Sequence, residues 1–250
     1  MLKIEHVKKS FGGVQATKDV SMHIKAGRIT ALIGPNGAGK TTLFNQINGV
    51  DKADSGTIQF DGIYIQDLPP FKICEAGLSR TYQLINLFHK MRVIDNVMVG
   101  MHTRLKTGFW KSLVNSKSKR KEDAAALEKA RDLLRFVGLE KEENELAGNL
   151  SYGQQRLLEI VRAMATEPKL LLLDEPAAGM NSAEKEDLNL IIRKILDRGI
   201  TVLIVEHDMK LIMDIADEIF VINQGELIAS GTPEEIQNDP LVIKAYLGGE

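Results

Sequence analysis

The sequence predicts an α/β fold built on an open, mostly parallel sheet, and three observations predict it. LLLLD at 170–174 and TVLIVE at 201–206 are continuous apolar runs, the pattern of strands covered on both faces. Between them Leu188, Ile191, Ile192, Ile195 and Leu196 recur at i, i+3, i+4, i+7 and i+8, one face of a helix laid against that sheet. A third apolar run, RITALIG, leads into a glycine-rich turn and another helix, so strands and helices alternate along the chain.

The elements follow in order. LKIEHV, VSMHI and RITALI read as strands, punctuated by Gly12, Gly13 and Gly27. GTIQFDG and IYI form a further β-like pair. From about residue 84 to 167 helix and loop dominate, with Leu157, Ile160, Val161, Met164 and Ala165 as a second stripe at helical spacing. After the strand at 201–206 come two short β-like runs, IFVI and ELIAS. Thr232, Pro233 and Glu235 then mark a helix start, with a capping threonine, proline at the first helical position and a glutamate closing the box. There is no internal repeat and no low-complexity segment.

Composition narrows the function classes. The 250 residues are 44% hydrophobic and 26% charged, which argues against disorder and against a coiled coil. A formal net charge of -2 does not favour a nucleic-acid partner. Cys74 is the single cysteine, which rules out an internal disulfide and fits a reducing compartment. The start MLKIEHVKKSFGG does not read as a secretory signal, and no stretch approaches the ~18 consecutive apolar residues of a spanning helix. A soluble intracellular chain is expected, free to work with a membrane partner.

The chemistry begins at Gly34, Pro35, Asn36, Gly37, Ala38, Gly39, Lys40 and Thr41, with Thr42 following. This is G-x-x-x-x-G-K-[ST] between a strand and a helix. Its glycines let backbone N–H groups turn inward around phosphate oxygens, and the helix start adds its positive dipole end. Lys40 reaches the outer phosphates, and the Thr41 hydroxyl can ligate Mg²⁺. A nucleoside triphosphate is the expected ligand. Asp174 and Glu175 end the run LLLLD, where ligands sit in parallel sheets; Asp174 can hold magnesium through water, and Glu175 can polarise an attacking water. His207 ends the next strand, placed to bond a γ-phosphate. Gln83 offers an amide that can ligate Mg²⁺.

GPNGAGKTT, Gln83, LSYGQQ, LLLLDEP and VEHD stand in the order and approximate spacing of the ATP-binding-cassette (ABC) ATPases. The sequence resembles that family over essentially its whole length. The resemblance implies a P-loop NTPase (RecA-like) core with an antiparallel β subdomain and an inserted α-helical subdomain. Residues 1–83 and 168–250 would form the core, and 84–167 the helical part with its signature segment. It implies ATP and Mg²⁺ as cofactors, Glu175, His207 and Gln83 as catalytic residues, and a second subunit, the same chain or a paralogue. In this family the segment usually written LSGGQ binds ATP held on the other subunit, so Ser151, Gly153 and Gln154 join the nucleotide-binding set. Ser151 is also a plain helix N-cap on its chemistry alone.

Three positions depart from the family pattern. Tyr152 stands where glycine is usual, tolerable where its ring points away from phosphate. Asn181 replaces an aspartate and suits a helix cap with Glu184 three residues on. Phe11 takes the place of an adenine-stacking aromatic, or else belongs to the core. LSYGQQ, DEPAAGMN, VEHDM, the SRTYQ segment and the ending AYLGGE are most similar to ATPases of branched-chain amino-acid importers. That implies transmembrane permease subunits, an indirect solute-binding protein, and a place at the cytoplasmic face of the inner membrane. Leu84, Ile85, Leu87 and Phe88 would then meet the permease, or pack the core. The alternatives are the lipopolysaccharide-export ATPase and a non-transport ABC ATPase. One segment stays outside this scheme: residues 102–121 hold seven Lys or Arg and no acid, with Phe109 and Trp110 among them. A solvated loop is the plainer account, a lipid- or permease-facing patch the other.

Overall fold

The computed structural model describes residues 1–101 and 117–247. Two sheets carry the fold. The first strands, β1 (Leu2–Phe11) and β2 (Val14–Ile24), pair antiparallel. β3 (Ile29–Ile33) then feeds the glycine loop and helix α1 (Lys40–Ile47). β4 (Ser55–Phe60) and β5 (Ile63–Tyr64) complete a four-stranded sheet in the order β2-β1-β4-β5. Helix α2 (Pro70–Ala76) leads to β6 (Leu78–Arg80), and α3 (Val93–Met101), α4 (Lys117–Phe136) and α5 (Tyr152–Met164) follow.

The chain then returns through β7 (Leu170–Asp174), α6 (Ser182–Asp197), β8 (Thr201–Val205), α7 (Met209–Ile215), β9 (Glu218–Asn223) and β10 (Glu226–Gly231). It ends in α8 (Pro233–Gln237) and α9 (Pro240–Leu247). The second sheet has the order β10-β9-β3-β8-β7-β6, parallel except for its β9–β10 edge. β6 was not predicted from sequence. Its three residues, one of them apolar, give no readable alternation, and only pairing with β7 makes them a strand.

The continuous apolar runs behave as two-faced strands. Leu171 and Leu173 of β7 join Val202 and Ile204 of β8 in a core roofed by α3 to α7. Their alternating neighbours Leu170, Leu172, Leu203 and Val205 join a second core with α1 and the four-stranded sheet, including Leu2, Ile4, Val20 and Ile58. The stripe on α6 buries Leu188, Ile191, Ile192 and Ile195, each worth about 1.5–3 kcal/mol relative to exposure. Leu196 packs at the margin of the same cluster. The caps expected at Asn181 and Thr232 form as full capping boxes with Glu184 and Glu235.

Parallel pairing has one decisive consequence for function. The loops leaving β3, β6, β7 and β8 all emerge at the same edge of the sheet. The basic segment lies mostly outside the described residues: Arg104, Lys106, Lys111, Phe109 and Trp110 fall there, as do residues 248–250 of the terminal AYLGGE.

Candidate active site

The loop after β3 is built to hold an anion. Gly39 sits at φ 105, and a Cβ placed on it would come 2.2 Å from the Ala16 carbonyl oxygen, so only glycine fits. No side chain caps α1, which leaves the amides of its first turn available to a ligand. The Lys40 ammonium folds over the loop, donating to the carbonyls of Gly34 at 2.6 Å and Pro35 at 2.9 Å. Burial lowers its pKa, an environment in which an anion would restore the charged form. An open cleft of about 520 Å³ runs along the loop, lined by Asn36 to Thr42, Val14, Lys18, Gln83 and Glu175. Phe11 does not line it. The ring ends β1 half-exposed, with the Lys9 ammonium 5.3 Å from its centre, so it is not a core residue.

Two acids stand at the end of β7: Glu175 lines the cleft and Asp174 does not. Asp174 is buried and paired, its Oδ2 accepting from Arg80 Nη2 at 2.7 Å. Arg80 also donates to Asn45 on α1 and stacks between Phe44 and Tyr82. Glu175 holds a left-handed backbone (φ 47), unusual for a residue with a side chain and costing of order 1–3 kcal/mol. Its Oε2 accepts from Gln83 Nε2 at 3.0 Å and lies 3.8 Å from His207 Nδ1. The structure thus brings Gln83, Glu175 and His207 to one point beside the loop, from the ends of β6, β7 and β8.

Glu206 fastens this edge. It is buried, and its carboxylate accepts the N–H groups of Ala177 at 2.7 Å and His207 at 3.1 Å. Burial pushes its pKa up, while the amide bonds oppose that shift. One side chain therefore ties the loop after Glu175 to the loop bearing His207. Sequence reasoning saw Glu206 only as part of VEHD and gave no role to Arg80 or Arg156. The only available signal was polarity at the end of a buried strand or on a helix's apolar side.

Ser151 is the N-cap of α5, its Oγ accepting from Gln154 N–H while Gln154 Oε1 accepts the Ser151 N–H. Gly153 is buried against Glu184, and Ser151 is exposed. Among the described residues that line the phosphate-loop cleft, none belongs to this turn. A second cavity, about 430 Å³, opens beside α3 and α5 and is lined by Phe71, Arg80, Tyr82, Phe88, Glu159 and Arg162 among others. Of the four residues expected to meet a permease, Leu84 and Phe88 are exposed, whereas Leu87 is buried and Ile85 packs against the core.

The donors at the cleft suit magnesium held jointly with phosphate. Thr41 and Gln83 line the cleft with oxygen donors. Asp174, buried and paired with Arg80, lies outside its lining and would reach a metal only through an intervening water, and the described residues contain no group of three His, Cys, Asp or Glu able to hold a metal alone.

Known proteins show the same pattern. A family model described as ABC transporter matches residues 17–178, and one described as branched-chain amino acid ATP-binding cassette transporter matches residues 226–250. The chain is 45% identical to the high-affinity branched-chain amino acid transport ATP-binding protein LivG of Salmonella typhimurium strain LT2, over 99% of this chain and 98% of that one. Its fold is similar to the crystal structure of a nucleotide-free ATP-binding cassette from an ABC transporter, with 34% identity, TM-score 0.86, and 100% and 99% of the two chains covered. A dimeric cassette in a post-hydrolysis state, bound to ADP and Pi, matches with 26% identity and TM-score 0.79 over 93% and 99%.

Proposed function

Since the chain belongs to the ABC transporter ATPase family, we propose that it is the ATP-hydrolysing subunit of an importer for branched-chain amino acids. In this proposal it works as half of a head-to-tail pair with two ATP molecules between the halves. The observation that carries the pairing is the position of Ser151: the turn that should meet phosphate does not line the cleft of its own chain.

The roles follow from the geometry. Amides of residues 36–42 and Lys40 hold the triphosphate. Phe11, exposed at the end of β1 and outside that cleft, would offer its face to a base projecting beyond the loop. Magnesium, when bound, supplies charge neutralisation on the outer phosphates; Thr41, Gln83 and Asp174 would hold it. Glu175 accepts the hydrogen bond of the attacking water and polarises it, with Gln83 fixing the carboxylate at 3.0 Å. His207 steadies the γ-phosphate side of the water's path. Ser151, Gly153 and Gln154 face the nucleotide of the second subunit, where the Ser151 hydroxyl still has its own proton to donate. Asn181 spends its side chain on capping α6, so it brings no charge to the seam.

Residues 1–83 and 168–250 form the nucleotide-binding core in this proposal, and 84–167 the helical part. The cavity beside α3 and α5 receives a permease segment, with Phe88 at its wall. No helix among the described residues is long and apolar enough to cross a membrane. In this proposal attachment at the cytoplasmic face runs through the permease. ATP favours the closed pair, ADP does not, and the permease follows that difference. The test is co-reconstitution with the permease and solute-binding subunits of a branched-chain amino-acid importer from the same source. ATP-dependent leucine uptake, lost in Lys40→Ala, is the expected result. Uptake that survives that change removes the proposal.

A further inference from the structure

Tyr152 and Arg156 are left over by the catalytic roles, yet they sit where three functional loops meet. Tyr152, the first residue of α5, lays its ring on Gly179 in the loop after Glu175: a Cβ built on that glycine would stand 2.8 Å from Tyr152 Cε1. Its hydroxyl accepts from Arg156 Nη2 at 3.2 Å. Arg156, one turn on, is fully buried. Its Nη1 donates to the Tyr82 carbonyl at 2.8 Å and its Nη2 to the Gln83 carbonyl at 2.7 Å. Glu159, also buried, accepts from Arg156 Nη1 at 3.1 Å and from the Tyr82 N–H at 3.4 Å.

Packing alone does not explain this guanidinium. Burying an ion pair costs more in desolvation than an apolar side chain of similar volume would, and the Arg156 Nε finds no hydrogen-bond partner among the described residues. What the planar fork achieves is geometric. Two carbonyls held by one rigid group cannot move independently, and lysine cannot reproduce that.

We propose that Arg156 and Tyr152 are positioning residues forming a relay between the two nucleotide sites of the pair. The fork sets the backbone at Gln83, whose amide holds Glu175, while Tyr152 fixes the Ser151 turn against Gly179. A shift of Gln83 toward the nucleotide in one cleft therefore displaces the turn that serves the other cleft. The relay rests on the two-subunit proposal above, and it accounts for tyrosine standing where the family usually has glycine: the ring points inward, to Gly179, and bonds Arg156.

The test uses the full chain and two substitutions, Tyr152→Phe and Arg156→Lys, each also made in a Glu175→Gln parent. Tyr152→Phe removes one hydrogen bond to a charged group from a half-exposed residue and should fold normally. Turnover should fall about 3- to 10-fold, with KM for ATP and the melting temperature unchanged. Arg156→Lys keeps at most one carbonyl and should fall about 10- to 100-fold. In the Glu175→Gln parent, the ATP concentration needed for half-dimerisation, read by light scattering, should rise in the same order. If Arg156→Lys fails to fold, Tyr152→Phe decides alone. Variants that turn over and dimerise like their parents overturn the relay. So does a loss of turnover matched by an equal loss of monomer ATP affinity, the mark of a merely structural tie. A Glu175→Gln parent that itself stays monomeric at saturating ATP instead faults the two-subunit proposal beneath it.

Discussion

The helix starts at Lys40 and at Tyr152 are satisfied in opposite ways. α1 has no side-chain cap, and its first amides face an open cleft beside a buried lysine. α5 has a complete capping box, its turn braced by Gln154 and, one turn further, by Arg156. An uncapped start is unfinished until an anion arrives, so it forms a site by itself. A capped start is finished, and it offers only what points outward. On the proposed function the first is a binding loop, the second a preformed surface that presents Ser151 to the partner subunit.

Experiments can break or sharpen that contrast. The largest effect is expected at Glu175→Gln, where loss of a positioned base should slow hydrolysis by about 10²–10⁴ with ATP binding intact. A drop of only a few-fold would mean the water is activated elsewhere. Next, Lys40→Ala should weaken ATP binding to the monomer by roughly 10- to 100-fold, the worth of a desolvated charge-assisted bond. Ser151→Arg should leave that same affinity unchanged while turnover falls at least about tenfold, because the larger cation obstructs a finished surface rather than a cleft. Equal losses of monomer affinity in the two variants would erase the distinction, and titration calorimetry on each decides it.

Smaller effects concern the frame. Burial raises the Glu206 pKa above its ordinary 4.5, so the native state holds that proton more tightly than the unfolded chain does. The stabilisation is fully present below about pH 4.5 and is lost as pH rises through the elevated value. The stability advantage of the native chain over Glu206→Gln should therefore shrink between pH 4.5 and 7 in urea melts; an advantage growing with pH would show that the two-loop tie outweighs desolvation. Asn181→Ala should be smallest, about 1 kcal/mol of stability from a lost cap with turnover unchanged. A large loss of turnover there would restore a role for Asn181 at the seam.

Much of this was legible in the sequence because it is written in contiguous residues. GPNGAGKTT carries its own turn, amides and cation, and a loop between a strand and a helix needs no distant partner to be recognised. LLLLD and TVLIV announce strands covered on both faces, and the two cores sharing their alternate residues are what such strands require. β6 was silent because its identity comes wholly from its neighbour, and Leu87 and Phe88, adjacent and both apolar, separated only on folding into buried and exposed.

The chain by itself determined the phosphate loop, the two-faced strands β7 and β8 and the acid at the end of β7, since each depends on local turn chemistry and on the period of apolar residues. Tertiary structure alone decided that Arg80 would neutralise Asp174, that Glu206 would tie two loops, and that Arg156 would hold the backbone 73 residues away at Gln83. Those are buried polar contacts. Their energy comes from who else is desolvated beside them, and no stretch of sequence records its neighbours in space.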